Sequence, residues 1–155
     1  RLPEWKVFAS DFSQGAIDVA RENSKSIEAH VDFECSDVFQ KRPFEPKCFD
    51  AVVSNPPYIP EQEKMNMEHR VVECEPSSAL FVPNNDPLLF YKRIIKLCEG
   101  GMLNPGGWLA FECHTRFTTD VAELFRASKT NWNQVSLIKD LQGKPRHVFA
   151  RIDLT

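Results

Sequence analysis

Residues 49–58 read Phe49-Asp50-Ala51-Val52-Val53-Ser54-Asn55-Pro56-Pro57-Tyr58. The first six are apolar almost throughout, as parallel strands buried on both faces are. The two prolines that follow must end the strand, because neither can donate a ladder hydrogen bond. The chain thus predicts a buried strand, Phe49–Ser54, that stops on an amide, two rigid prolines and an aromatic ring. In open α/β sheets that is the end at which ligands bind.

Working upstream, Lys6–Asp11 reads as a short buried strand closing on an acid. Ser13–Asn23 then predicts a helix with Ser13 as N-cap and Ala16, Ile17, Val19 and Ala20 on one face. Val31–Glu34 is another strand, followed by the acidic turn Ser36-Asp37. Downstream, Pro56–Pro87 is rich in prolines and charges and has no sustained period, which predicts a functional loop. Leu88–Leu97 follows as a helix with Leu88, Leu89, Tyr91, Ile94, Ile95 and Leu97 on its apolar side. Asn104-Pro105-Gly106-Gly107 is a turn, Trp108–Glu112 a strand again ending in an acid, and Val121–Ala127 a helix. Two last strands, Val135–Lys139 and His147–Ile152, are joined by Gln142-Gly143-Lys144-Pro145. Strands alternating with helices predict an α/β layer, largely parallel, with an antiparallel edge at the C-terminal end. Asp11, Asp37, Asn55 and Glu112 all stand at carboxyl ends of predicted strands.

The bulk properties narrow the function. A chain of 155 residues, 42% hydrophobic, is one domain able to bury a core. A formal charge of -3 from 19 basic and 22 acidic residues, with the basic ones scattered, gives no reason to expect general binding to nucleic acid or a membrane. No apolar run reaches the ~20 residues that span a bilayer and no signal peptide opens the chain, so a cytoplasmic protein is expected. Cys35, Cys48, Cys74, Cys98 and Cys113 form no CxxC pair and read as reduced core thiols. His30, His69, His114 and His147 are dispersed and read as surface or core residues.

What remains is the set of groups at the strand ends. Asp11 can accept hydrogen bonds from a ribose diol, or serve as a turn acid ahead of the Ser13 helix. Asp37 can accept an exocyclic adenine amine, or form an Asx turn. Pro56 and Pro57 each fix their own φ and restrict the residue before them, so the Asn55 side-chain oxygen and the Pro56 carbonyl become two rigid acceptors side by side. Each can take one hydrogen of a planar NH2, leaving its nitrogen facing an electrophile. Tyr58 offers a flat surface for the same group. A methyl group on a sulfonium suits such a site, because transfer then needs positioning more than a strong base.

Asp11-Phe12-Ser13, Ser36-Asp37-Val38-Phe39, Val53-Ser54-Asn55-Pro56-Pro57-Tyr58-Ile59, Glu75-Pro76-Ser77-Ser78-Ala79-Leu80 and Asn104-Pro105-Gly106-Gly107 occur in the order and spacing of one family. The chain resembles the HemK/PrmC family, the protein-(glutamine-N5) methyltransferases of peptide chain release factors. Asn-Pro-Pro-Tyr alone is shared with adenine-N6 DNA methyltransferases and some RNA enzymes; its combination with Glu-Pro-x-x-Ala-Leu is more specific. The resemblance implies a class I S-adenosylmethionine-dependent methyltransferase of Rossmann-like fold, acting on the glutamine of the release factor Gly-Gly-Gln motif. It implies that Asp11 holds the cofactor's ribose, Asp37 and Val38 border its adenine, and Asn55 touches both cofactor and glutamine. Pro56, Pro57 and Tyr58 would complete the glutamine pocket, with Glu75-Pro76 on its far wall. Asn55, Pro56 and Tyr58 are thus the expected catalytic set.

The chain departs from the family pattern in three places. Val38 and Cys74 stand where family members often carry aromatics. The Gly-rich cofactor loop with the first strand before it, and the helical N-terminal domain, have no counterpart in these 155 residues. Residues 1–155 are therefore expected to be a partial catalytic domain with unpaired strand edges. The isolated 155 residues are expected to bind S-adenosylmethionine weakly or not at all, and micromolar binding by calorimetry would contradict this. Two other readings stay open here: an adenine or guanine amino methyltransferase acting on DNA or RNA, and a catalytically inactive fragment.

Overall fold

In the computed structural model, which describes residues 4–46, 48–66 and 76–153, the chain divides into two compact units that meet in sequence at Lys47 and Cys48. In the first, β1 (Val7–Asp11) and β2 (Val31–Cys35) pair in parallel, with Val7 opposite Val31 and Asp11 opposite Cys35. Between them runs α1 (Gln14–Ser26). Ser13 is its N-cap as predicted, with extended backbone and a side-chain Oγ accepting from the Ala16 N–H at 3.3 Å. The predicted apolar face is narrower than the sequence implied. Ile17 alone of α1 is buried, while Ala16 is exposed and Val19 is 58% exposed.

After β2 the chain closes a tight loop on Glu34. Its carboxylate lies 2.6 Å from Lys41 Nζ and accepts the Phe44 N–H at 2.7 Å. The Lys41 hydrogen bond, opposed by partial burial, holds this carboxyl below its ordinary range. Phe44 takes φ of 56°, an uncommon conformation for a bulky residue, and the bond to Glu34 together with the edge-on packing of its ring against Phe8 at 5.2 Å over-determines it.

The second unit is built on a four-stranded sheet in the order β3-β6-β8-β7. Its members are β3 (Phe49–Ser54), β6 (Leu103–Glu112), β7 (Trp132–Lys139) and β8 (Pro145–Ile152). β3 and β6 are parallel, and β8 is antiparallel to both β6 and β7. The antiparallel part is as predicted, with one difference: the last strand lies inside the sheet and β7 forms the margin. A second small sheet pairs β4 (Ile59–Pro60) with β5 (Phe81–Val82) in parallel. The stretch expected to be one long loop therefore carries local structure, including a 3-10 turn at Glu61–Asn66 and α2 (Ser77–Leu80).

Two longer helices cover β6 and β8. They are α3 (Leu89–Leu97), which continues as a π turn to Met102, and α4 (Thr118–Arg126). α3 ends where Gly101 adopts φ of 93°, a conformation that a side chain would strain. The core is an aromatic series: Tyr91 meets Phe111 edge-on at 5.1 Å, Phe111 lies 6.1 Å from Phe125, and Phe125 is 4.9 Å from Trp132. Leu109, Val121, Ala122, Val148 and Ala150 fill in around it. The indole N–H of Trp132 donates to Glu99 at 2.8 Å, so this large ring is buried with its polar atom satisfied.

Two sequence expectations change here. Phe49–Ser54 is not buried on both faces, since Ala51 is exposed and Val53 is 80% exposed. Ala51 and Val53 stand two residues apart on one face of the strand, and burial of that face depends on what packs on it, not on the strand's own composition. The turn at Asn104–Gly107 is present, but as a bulge inside β6: Phe49 pairs with Leu103 and Ala51 already with Trp108. Gly107 is required there, because a Cβ would come within 2.8 Å of the Asn104 carbonyl and 3.1 Å of the Asp50 carbonyl. Nor are all cysteines core thiols. Cys98 and Cys113 are buried, and burial raises both thiols to about 12, while Cys35 and Cys48 are exposed and Cys74 lies outside the described residues.

Candidate active site

The first unit brings two of the predicted acids to neighbouring strand ends. Asp11 closes β1 and Asp37 stands two residues past β2, with the Ser36 N–H donating to the Asp11 carbonyl at 2.9 Å. Each acid also makes the local turn that the sequence allowed as its alternative. The Oδ1 of Asp11 accepts the Ser13 N–H at 2.7 Å, and the Oδ1 of Asp37 accepts the Phe39 N–H at 2.9 Å. The two readings are compatible, because an Asx turn engages one carboxylate oxygen and orients the other. Val38 follows directly and is half-buried.

In the second unit the parallel register pairs Ser54 with Phe111, so that one residue further on lie Asn55 on one strand and Glu112 on the other. Asn55 is exposed, Pro56 is buried, and Pro57 and Tyr58 are half-buried. Pro56 thus anchors a polar residue that faces water. The chain next enters β4, where Ile59 pairs with Phe81 and Pro60 with Val82 of β5.

Tyr58 is the point of convergence. Its phenol donates to Glu112 Oε1 at 3.0 Å. Burial, followed by the hydrogen bond and negative charge of Glu112, raises the phenol above its ordinary range, so it stays protonated and a donor. The His114 ring lies 6.1 Å from the Tyr58 ring at 68°. His114 Nδ1 accepts the Arg116 N–H at 3.2 Å, which leaves its hydrogen on Nε2, 3.2 Å from Glu63 Oε2. Glu63 also pairs with Arg116 Nη1 at 3.1 Å.

Sequence reasoning singled out Asn55, Pro56, Pro57 and Tyr58 but assigned no role to Glu112 or His114 and did not raise Glu63 or Arg116. Fifty-four residues separate Tyr58 from Glu112 and 53 separate Glu63 from Arg116. No local pattern carries that information; the alternation that put an acid at a strand end was the one available signal. Glu75, Cys74 and His69, which the sequence also raised, lie outside the described residues. Between the 3-10 turn and α2 is a cleft of about 450 Å³ lined by Glu61, Lys64, Ser77, Ser78 and Phe81.

The fold is shared with solved methyltransferases, among them one from Pyrococcus furiosus at a TM-score of 0.62 and 18% identity over 95% of this chain and 62% of that one. A Streptococcus mutans protein crystallised in complex with SAH has the same fold, at a TM-score of 0.59 and 19% identity over 95% of this chain and 76% of that one. Residues 1–74 match the family described as "Methyltransferase domain". In sequence the chain is related along nearly its whole length to proteins named "Release factor glutamine methyltransferase". That of Bacteroides thetaiotaomicron is 41% identical over 149 residues, covering 96% of this chain and 52% of the relative. That of Flavobacterium psychrophilum is 36% identical, covering 95% and 50%. The chain spans about half the length of the curated relatives it matches. Among the described residues, no helix is long and apolar enough to cross a membrane.

Proposed function

We propose that this chain carries the acceptor site of an S-adenosylmethionine-dependent methyltransferase that modifies N5 of the glutamine in the Gly-Gly-Gln motif of peptide chain release factors. The observation that carries this reading is the exit of Asn55-Pro56-Pro57-Tyr58 from the carboxyl end of β3 with Tyr58 fixed on Glu112, in a chain related to proteins of that name.

The residues present fit the cofactor's polar groups. Asp11 and Asp37 each have one oxygen engaged in a turn and keep acceptor capacity in the other, as a ribose diol and an adenine amine require. Val38 adds apolar surface beside Asp37. S-adenosylmethionine, when bound, supplies an electrophilic methyl group on a sulfonium. On the acceptor side, the Asn55 side-chain oxygen and the Pro56 carbonyl each take one hydrogen of the glutamine NH2. Both hydrogens are then directed at the protein and the nitrogen is turned outward. Pro57 keeps the two acceptors rigid, and the Tyr58 ring fixes the plane of the amide. Holding both partners in one geometry can be worth ~7 to 11 kcal/mol of the barrier. None of the four residues is a strong base, and none is needed, since the methylated nitrogen is acidic enough to lose its proton to water.

The same reading makes residues 1–155 part of a catalytic domain whose Gly-rich cofactor loop is supplied by another segment. What supports it is that β1 and β3 each have one hydrogen-bonded neighbour among the described residues. It also favours a protein substrate over DNA or RNA in the cytoplasm. Several cations are already paired with carboxylates, among them Lys92 with Asp86, Arg116 with Glu63, Arg126 with Glu123 and Arg146 with Asp140. The test is transfer of a labelled methyl group by the full-length protein to purified release factor and to nucleic acid. Label on the Gly-Gly-Gln glutamine, located by mass spectrometry, is the expected result. Label on nucleic acid alone would overturn the reading.

A further inference from the structure

Two of the oxygens of Glu112 accept from tyrosines. Its backbone carbonyl accepts the Tyr91 phenol at 3.1 Å, and its Oε1 accepts the Tyr58 phenol at 3.0 Å. The two tyrosines are not equivalent. Tyr91 is fully buried in α3 against Phe111, so the end of β6 that carries Glu112 is pinned to the core. Tyr58 is half-buried at the rim. A phenol at a rim has several ring orientations within reach, and a hydrogen bond to an ionised acceptor, stronger than one to a neutral group, selects one of them. The Tyr58 ring also packs edge-on with the His114 ring at 6.1 Å, and His114 is itself held by Arg116 and Glu63.

We infer that Glu112 is the positioning residue of the acceptor site, locking the Tyr58 ring so that it presents one face to the substrate amide. Glu112 acts through Tyr58 and does not itself meet the reacting atoms. This rests on the reading of Asn55–Tyr58 as the acceptor site.

The test uses the full-length protein, purified release factor and S-adenosylmethionine. Tyr58→Phe keeps the ring and removes the hydroxyl, Glu112→Ala removes the acceptor, and Glu112→Gln retains an acceptor oxygen. Tyr58→Phe and Glu112→Ala are each expected to lower kcat about 10- to 100-fold, the range for a hydrogen bond to a charged group. Cofactor affinity by calorimetry is expected to change less than about threefold for either variant, since the proposed cofactor acids Asp11 and Asp37 are unaltered in both. The double variant should be no slower than the worse single one, and Glu112→Gln, whose neutral oxygen still accepts, should recover part of the loss. A role in stability alone would lower the melting temperature without this kcat pattern. Should Glu112→Ala fail to fold, Tyr58→Phe and Glu112→Gln still decide the matter. Tyr58→Phe turning over at the wild-type rate overturns the inference, as do losses that add in the double variant. If Asn55→Ala is inactive in the same assay, the proposed function survives that result; a fully active Asn55→Ala removes the proposed function instead.

Discussion

Asn55→Ala in the full-length protein is expected to reduce methyl transfer to release factor at least about 100-fold, the scale on which loss of one preorganised polar group acts on kcat. Asn55 is exposed at the carboxyl end of β3 and is followed by a buried proline, so truncating its side chain removes an acceptor without opening a cavity in the core. Stability should hold within about 0.5 kcal/mol for that reason. Cofactor affinity, by calorimetry on the same protein, should fall much less than kcat, because Asp11, Asp37 and Val38 are untouched. Equal loss of transfer and of cofactor binding would instead make Asn55 mainly a cofactor or structural residue. The comparison that matters is thus the ratio of two effects in one variant.

The second large effect is on stability. Phe111 is fully buried and lies between Tyr91 at 5.1 Å and Phe125 at 6.1 Å. Phe111→Ala deletes the ring that joins α3, β6 and α4, and large-to-small changes of this kind cost about 3–5 kcal/mol. Set against a total stability of roughly 5–15 kcal/mol, that is a large share. Denaturant unfolding should show a lower midpoint with the slope retained. A shift below about 1 kcal/mol would mean that this aromatic series is not the core of the second unit. Phe111 also immediately precedes Glu112, so a loosened β6 end should weaken transfer even at temperatures where the variant remains folded.

Much of the fold was legible in the chain because its signals are local. Proline pairs end strands, Ser13 caps a helix, and the period of Leu89, Tyr91, Ile94, Ile95 and Leu97 marks a buried helical face whatever surrounds it. The strand ends at Asp11, Ser54 and Glu112 follow from short apolar runs that stop on an acid or on Asn-Pro-Pro. What local signals misjudged was exposure. Val53 and Val19 are apolar and sit in regular elements, yet both are exposed, because burial depends on what packs against an element and not on its own composition. The bulge at Asn104–Gly107 looks like a turn in sequence for a related reason: Asn-Pro-Gly-Gly is a turn composition, but its neighbours on either side pair with β3.

The candidate site divides along the same line. Sequence alone determined which groups exist at the strand ends: a rigid amide and carbonyl at Asn55-Pro56, an aromatic face at Tyr58, and carboxylates at Asp11 and Asp37. These are properties of covalent geometry and residue type, expressed over a few adjacent positions. Tertiary structure decided which partner each of them meets. Glu112 became the acceptor of Tyr58, and Glu63 and Arg116 became the frame of His114, through contacts between residues more than 50 positions apart. Those pairings arise because β3 and β6 lie side by side in parallel and end at the same level, a fact of strand register that no stretch of the chain contains by itself.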